Sequence, residues 1–208
     1  GGVALFSNIN GNDNVALGHQ ALKTNISADD NTAIGKKAIY STVGADNTAV
    51  GSDAGYYQTT GTQNTFLGRQ AGYGNSGGAT GSGNTVMGSN AGVSLTSGSY
   101  NVLSGHNAGY SITTGSRIVA IGGPSTTAGT DAAGYGLTEA TDTILIGSKA
   151  GKAITTPSNN IMVGSNAGST LTTGADNTAI GTDAMANNVT GADCISIGRK
   201  AGYSYKLS

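Results

Sequence analysis

The 208-residue chain has little of what fills an ordinary globular core. It contains no tryptophan, two phenylalanines and two prolines, and aromatic residues make up 5% of it. Large side chains are therefore too scarce for a conventional core. The aliphatic residues nevertheless recur too regularly for a disordered chain, which favours a thin core built by repetition.

Charge and cysteine are scarce as well. Charged residues make up 10% of the chain and the net charge is −1, so the basic field that attracts nucleic acid or an anionic membrane is missing, and neither is an expected partner. The single cysteine, Cys194, excludes an intrachain disulfide. No apolar run approaches the roughly 20 residues of a membrane-spanning helix, so we expect no membrane insertion in this segment.

What the chain does contain is a repeat. A glycine recurs along the whole sequence, preceded by an apolar residue in ten of eleven copies and followed three residues later by an alanine in ten of eleven. The anchor glycines are Gly18, Gly35, Gly51, Gly68, Gly88, Gly105, Gly122, Gly147, Gly164, Gly181 and Gly198. Most are 17 residues apart, and the two longest spacings place insertions near residues 74–83 and 123–137. A fixed period of this length predicts an all-β fold over residues 1–208, a parallel β-solenoid or β-roll of about eleven 17-residue coils. Since the chain begins with Gly1 and its end coils show no caps, we expect a fragment or processed piece of a longer protein.

The three residues before each anchor are expected to form a strand. The last of them is apolar in ten of eleven copies, and the first is threonine, valine or isoleucine. Because side chains alternate along a strand, these two columns share one face, which we expect to be the inner wall of the coil. The middle residue, such as Ala33 or Leu103, would then point outward. Since it is mostly apolar too, we expect another chain to cover it and favour a parallel homotrimer.

Two further columns fall in the turns. An asparagine stands four residues before the anchor in eight copies: Asn14, Asn31, Asn47, Asn64, Asn84, Asn101, Asn160 and Asn177. Stacked asparagines can hydrogen-bond from coil to coil, so we assign them a structural ladder rather than a recognition role. A glycine stands seven residues before the anchor in eight copies, for example Gly44 and Gly174. Its fixed place predicts a backbone with φ > 0 there.

The repeats resemble those of two kinds of trimeric surface fibre. The copies NTAIGKKA at 31–38, NTAVGSDA at 47–54 and NTAIGTDA at 177–184 resemble the head repeats of trimeric autotransporter adhesins. The 17-residue form, with Ala-Gly-Tyr after the anchor and Thr-Thr-Gly in the turn, resembles the shaft repeats of phage tail fibres that carry a self-cleaving C-terminal chaperone. The resemblance covers essentially the whole chain and implies three associated β-rolls on a virion or a bacterial surface. The copy at Gly122 departs from the pattern, with Ile118 in place of asparagine and Ser125 in place of alanine.

Residues that could carry chemistry are few. His19 and His106 follow anchor glycines on distant coils without a nucleophile beside them, so we expect no enzymatic activity. Cys194 has no histidine or second cysteine in its motif, which argues against a nucleophile or a metal ligand. Aspartates precede the asparagine position in six copies: Asp13, Asp30, Asp46, Asp142, Asp176 and Asp193. Calcium could bridge them, but the calcium-binding nonapeptide of other β-rolls is absent, so we favour solvated turn caps and expect no metal or cofactor.

Tyrosines and threonines suggest two kinds of binding face. Tyr40, Tyr56, Tyr73, Tyr110 and Tyr203 stand five residues after an anchor, and Tyr57 and Tyr135 lie in similar contexts. Such a row could stack on sugar rings as a glycan-binding stripe, although we favour rings that seal a corner of the coil or the seam of a trimer. The threonines Thr32, Thr48, Thr65 and Thr85 are consecutive in register, as on ice-binding solenoids, but the expected register points them inward.

The sequence thus predicts a structural or adhesive fibre segment outside the cell, a tail-fibre or adhesin shaft or head that associates with itself. A host-surface glycan or protein is the further candidate partner, with contacts at the two insertions because insertions in solenoids form surface loops. The candidate contact residues are Tyr56, Tyr73, Tyr110, Tyr135 and Tyr203. A self-polymerising extracellular fibril subunit and an ice- or glycan-binding solenoid are the alternatives.

Overall fold

The protein is a parallel β-solenoid, seen in a computed structural model that describes residues 2–203. Eleven strands lie in one sheet in chain order, each paired in parallel with the next. They are β1 Val15–Leu17, β2 Thr32–Ile34, β3 Thr48–Val50, β4 Thr65–Leu67, β5 Thr85–Met87, β6 Val102–Ser104, β7 Ser116–Ile121, β8 Thr141–Ile146, β9 Ile161–Val163, β10 Thr178–Ile180 and β11 Ile195–Ile197. The all-β solenoid of about eleven coils is therefore confirmed. Within residues 2–203 no helix is long and apolar enough to cross a membrane.

The pairing register follows the repeat. Each pairing sets equivalent positions of successive copies side by side, as Ala33 beside Ala49. The two insertions do not disturb it, since Phe66 pairs with Val86 across the first and Ala120 with Leu145 across the second. The insertions therefore leave the strand register intact, and eleven strands at about 4.8 Å spacing give a rod about 48 Å long.

The strands face the opposite way to our expectation. The middle residue of the strand points into the coil, and Ala33, Phe66 and Leu103 are at most 1% exposed. The flanking columns point to solvent, and Leu17 is 62% and Leu67 48% exposed. The prediction that the flanking columns form the inner wall was wrong. The interior of a short coil admits one strand side chain per turn, and the middle column, often alanine, is the one whose volume fits.

In the core, a small strand side chain is matched by a large one four residues after the anchor glycine, and a large one by a glycine. In the coil of β2 the strand contributes the small Ala33, and Ile39, four residues after the anchor, supplies the volume on the opposite wall. In the coil of β4 the strand contributes Phe66 and the equivalent residue is Gly72, where an added Cβ would overlap the Phe66 ring. The same exchange pairs Met162 with Gly168. Where both positions are small, as with Ala49 and Gly55 in the coil of β3, the Phe66 ring of the next coil occupies the space. Close packing is therefore reached between neighbouring coils as well as within them.

The two glycine columns serve different needs. The anchor glycines have φ between 121° and 144°, and a Cβ on Gly35 would stand 2.5 Å from the carbonyl oxygen of Gly51 in the next coil. The glycines seven residues before the anchor, such as Gly44 and Gly174, do not have positive φ, so that prediction was wrong. Space explains them instead, because a Cβ on Gly44 would overlap the carbonyl of Gly61 one coil further on.

Candidate functional site

The largest feature of the surface is the solvent-facing side of the sheet, which we name the outer sheet face. It consists of Val15, Leu17, Thr32, Ile34, Thr48, Val50, Thr65, Leu67, Thr85, Met87, Val102, Ser104, Val119, Ile121, Ile144, Ile146, Ile161, Val163, Thr178, Ile180, Ile195 and Ile197. None of these residues is buried. Three residues of strand are about 10 Å wide, so the face measures roughly 500 Å² in projection. The strip is largely apolar, with threonine in one of its two columns from β2 to β5, and an exposed patch of that size is often functional.

Behind the sheet runs a ladder of asparagine side chains. The Oδ1 atom of Asn64 accepts a hydrogen bond from the backbone N–H of Asn84 at 2.9 Å, and the Nδ2 group of Asn84 donates to the carbonyl of Gly98 at 3.0 Å. Equivalent bonds link Asn14 to Asn31, Asn31 to Asn47, Asn47 to Asn64, Asn84 to Asn101 and Asn160 to Asn177. Apart from the half-buried Asn14, these asparagines are at most 1% exposed. They hold coil to coil and are closed to any ligand.

The tyrosine column forms two stacks on one corner of the rod. Tyr56 lies between Tyr40 and Tyr73, with ring centroids 5.0 and 5.2 Å away and near-parallel planes. Tyr110 stacks on Tyr135 at 5.1 Å. Tyr203 stands further along the same corner, with the Lys200 ammonium 5.7 Å from its ring centre. The structure therefore brings the five candidate contact tyrosines to one corner but divides them into three places.

The first insertion folds against the first stack. The backbone of Thr59 donates to the carbonyl of Ala79, and Ala79 donates to Tyr57, at 2.8 and 2.7 Å. Just before Ala79 the chain makes a tight turn at Asn75. The N–H of Gly77 donates to the side-chain oxygen of Asn75, and the N–H of Gly78 donates to its backbone carbonyl, both at 2.9 Å. The turn thereby stands over the tyrosines as a short wall.

Between this wall and the rings lies a depression that we name the tyrosine cleft. It has a volume of about 240 Å³ and is lined by Tyr40, Ser41, Tyr56, Tyr57, Thr59, Ser76, Gly77 and Gly78. None of these residues carries a charge at neutral pH. Burial, and then the neighbouring Tyr40, raises the pKa of Tyr56, so its hydroxyl keeps its proton at neutral pH and can donate a hydrogen bond. The sequence identified the tyrosines and the insertion separately, but not Ser41, Thr59 and Ser76 as their neighbours.

The second insertion is fastened to the rod by a buried carboxylate. Asp131 is 2% exposed and accepts hydrogen bonds from the hydroxyls of Ser125 at 2.7 Å and Thr126 at 3.2 Å. The Lys149 ammonium lies 3.5 Å away. The hydrogen bond from Ser125 is the main cause that lowers the pKa of Asp131. This insertion is therefore packed down, with Ala132, Ala133 and Leu137 in the core and 125–128 left at the surface.

A wider groove lies where the tyrosine column is interrupted. The column reads Lys152, Ser169 and Ala186 in the coils of β8 to β10. The space left by the missing rings has a volume of about 530 Å³, and Lys149, Asn166, Asp183 and Tyr203 are among its lining. The Nδ2 group of Asn166 donates to Asp183 at 2.9 Å. The groove is polar, carries charges of both signs and ends at the last described residue.

The aspartate column occupies left-handed turns. Asp13, Asp46 and Asp176 have φ of 52°, 60° and 57°, a region that aspartate tolerates better than most residues. Asp142 is paired with Arg117, whose Nε lies 2.6 Å from Oδ1, and Asn159 donates to Asp176 at 3.0 Å. Across residues 2–203 no three His, Cys, Asp or Glu side chains are grouped as a metal site would require.

The remaining candidate groups stay apart. His19 and His106 are exposed on different coils. Cys194 continues the asparagine column, where its backbone N–H donates to Asn177 at 3.1 Å and its thiol lies 3.1 Å from the carbonyl of Ala192. Nothing in this arrangement joins a nucleophile to a base.

Comparison of the chain with protein-family models, with curated proteins and with solved structures found no match. The resemblance to adhesin heads and tail-fibre shafts therefore stays a prediction from the repeats.

Proposed function

We propose that this chain is a rod-shaped, non-catalytic segment of a homotrimeric extracellular fibre, as in a phage tail fibre or a bacterial surface adhesin. In this proposal the outer sheet face is the interface between chains. The observation that carries it is the solvent-facing column next to the anchor glycines, which is apolar in every strand except β6 and includes Leu67, Ile146 and Ile180. Leaving such a strip in water costs about 25 cal/mol for each Å² that association would bury.

The area of the face is large enough for association between copies. A stable interface buries at least about 1,000 Å² in total. Two faces of roughly 500 Å² each reach that value in one interface, and a trimer divides a sum of about 1,500 Å² among three. The number three therefore comes from the resemblance of the repeats to those of trimeric fibres, and a closed symmetric assembly lets every copy use the same face.

The inside of the rod suits a spacer that bears load. Each coil touches chiefly its two neighbours, so stability accumulates along the stack. The buried asparagine ladder and the close approach of Gly35 to Gly51 allow one register only. Such a rod holds a contacting element at a fixed distance from a virion or a cell, and residues 75–77 of the first insertion are exposed on its surface.

Two charges placed on the outer sheet face test this proposal. The double variant Ile146→Lys, Ile180→Lys places ammonium groups in the proposed interface, and we expect a folded monomer in sedimentation velocity. The matched control is Thr156→Lys, Thr173→Lys, which adds the same charge at exposed turn positions and should remain trimeric. Circular dichroism establishes that both variants are folded. A trimer that survives the first substitution would contradict the proposed interface.

One observation supports a second candidate, an ice-binding face. The threonines of the flanking column, Thr32, Thr48, Thr65 and Thr85, face solvent, although we expected them to point inward. They recur at the spacing of the strands, which is the regularity that an ordered water layer needs. Thermal hysteresis by the isolated chain would favour this function over the fibre, and its absence would remove it.

The self-polymerising fibril is the third candidate, and it differs from the trimer in the direction of growth. A fibril would extend through the open edges of β1 and β11, where Val15 and Ile195 are exposed. Its mass would rise with concentration without limit, whereas the mass of a trimer would not.

A further inference from the structure

We propose that the tyrosine cleft binds one neutral pyranose ring of a surface glycan. This inference rests on the adhesive role proposed above and names the class of ligand that the role would use. It depends on three properties of the cleft: the ring face that is left open, the absence of charge in the lining, and the size.

Only some of the aromatic faces on this corner are open. Both faces of Tyr56 are covered, one by Tyr40 and the other by Tyr73. Tyr57 stands nearly perpendicular to Tyr56 and Tyr73, at 78° and 86°, with centroids 4.6 and 5.2 Å away. Since the faces of Tyr56 are occupied, Tyr57 must meet its edge. Tyr57 lines the cleft, so we assign its opposite face to the cleft, where the flat face of a pyranose can pack against it.

The polar groups of the cleft match sugar hydroxyls and do not match an ion. Hydroxyls of Ser41, Thr59 and Ser76 line it together with those of the tyrosines. Two lysines approach the lining rings without lining the cleft themselves: the Lys23 ammonium lies 3.3 Å from the Tyr40 hydroxyl, and the Lys37 ammonium 5.5 Å from the Tyr56 ring centre. A cleft that offers neutral donors and acceptors around an aromatic face favours a neutral ligand with many hydroxyl groups.

The volume sets the length of ligand that one cleft can hold. About 240 Å³ lies below the range of roughly 300–1,000 Å³ that is usual for drug-sized ligands. One sugar ring, rather than an oligosaccharide, is therefore the expected occupant, with weak affinity for each site. Three clefts on one trimer would bind a dense glycan surface more tightly than a single glycan, because the later contacts are intramolecular.

The wall of the cleft distinguishes the first stack from the second. Tyr110 and Tyr135 offer a comparable stacked pair on the same corner, but the turn at 75–78 stands over the first stack only. The chain therefore contains its own control, a similar pair of rings that lacks this wall.

The test uses the whole chain and saturation-transfer NMR with the methyl glycosides of glucose, galactose, mannose and N-acetylglucosamine. N-acetylneuraminic acid serves as the charged comparison. The variant Tyr57→Ala removes the stacking face, and Ser76→Phe fills the cleft from an exposed loop position where the fold is not at risk. Tyr110→Ala is the matched control in the second stack.

We expect transfer to at least one neutral glycoside and none to the acid. Both cleft variants should weaken binding about tenfold or more, equivalent to about 1.4 kcal/mol, and Tyr110→Ala should leave it unchanged. Absence of transfer to all four glycosides, or binding that survives Ser76→Phe, would overturn the inference. Sedimentation velocity on the same samples separates the two proposals. A trimer that binds no glycoside overturns only the cleft, and a monomer that binds one overturns only the trimer.

Discussion

Two regions of the rod hold their coils together in different ways. From β1 to β6 the strands are three residues long and the asparagine ladder is unbroken. At β7 and β8, which we name the extended pair, the strands are six residues long and the ladder position is Ile118 and then Thr143. Backbone pairing continues through that position, where Ile118 lies beside Thr143 and Ser116 beside Thr141.

The comparison teaches that the same backbone requirement has two solutions. Buried N–H and carbonyl groups at the turn need partners. In the ladder region one side-chain amide supplies several of them, which ties the sequence to asparagine. In the extended pair the additional residues of the longer strands supply the hydrogen-bond partners through backbone pairing. The side chain at the ladder position is therefore free to be apolar. The longer strands occur where a 25-residue coil, containing the second insertion, must return to register.

Removal of one amide should have the largest effect, because it acts on several buried groups at once. Asn84→Ala leaves the N–H of Asn101 and the carbonyl of Gly98 without their partner. At about 1–3 kcal/mol for each of the two orphaned groups, we expect the free energy of unfolding to fall by about 2–6 kcal/mol. Urea denaturation measures this loss. A loss of less than about 1 kcal/mol would show that the ladder is not what holds these coils.

The carboxylate of Asp131 should matter next, and its effect should depend on pH. Since its pKa is lowered in the folded protein, its contribution is complete above the ordinary value of about 3.9 and is lost as pH falls through the lowered value. Asp131→Asn should therefore be less stable than the wild type at pH 7, and the difference should shrink in acid.

Thermal unfolding between pH 2 and pH 7 tests that dependence. Asp193→Asn, at an exposed position of the aspartate column, is the control and should run parallel to the wild type. A constant gap between wild type and Asp131→Asn across the whole range would contradict the assignment of Asp131 as an ionised anchor.

The ladder position of the extended pair should be far more tolerant. Thr143→Val keeps the shape of the side chain and removes a hydroxyl that donates only to the carbonyl of Thr141, at 2.9 Å. We expect a loss of about 0.5–1.5 kcal/mol, the usual value for one hydrogen bond. Losses of equal size from Thr143→Val and Asn84→Ala in the same urea experiment would abolish the distinction between the two regions.

The ion pair on the extended pair should contribute least. Arg117 and Asp142 are both about half exposed, and exposed pairs are screened by water and salt. We expect the melting temperature of Arg117→Ala to equal that of the wild type within error, and to depend on salt concentration in the same way. A clear loss of stability in low salt that disappears in high salt would show that charge, and not strand length, replaces the ladder there.

The repeat gave the register but not the orientation of the strands. Period and anchor glycines followed from spacing, because equivalent positions of a solenoid must stack. Alternation along the strand defined two faces, yet both were apolar, so the pattern did not say which was inside. Which face is inside depends on the side-chain volumes four residues after the anchor. There the large Ile39 complements the small Ala33, and Gly72 leaves room for the large Phe66. The tyrosine cleft could not be predicted from the sequence. A backbone hydrogen bond from Ala79 to Tyr57 directs the insertion over the rings, and no sequence pattern marks that bond.

The mass of the purified chain in solution tests the central claim most directly. Light scattering over a wide range of concentration should give a constant mass near three times 20.3 kDa, because the outer sheet face would be covered by other copies. A constant mass of 20.3 kDa would contradict the claim and leave the exposed face to another role. A mass that grows with concentration would contradict the closed trimer and favour the fibril.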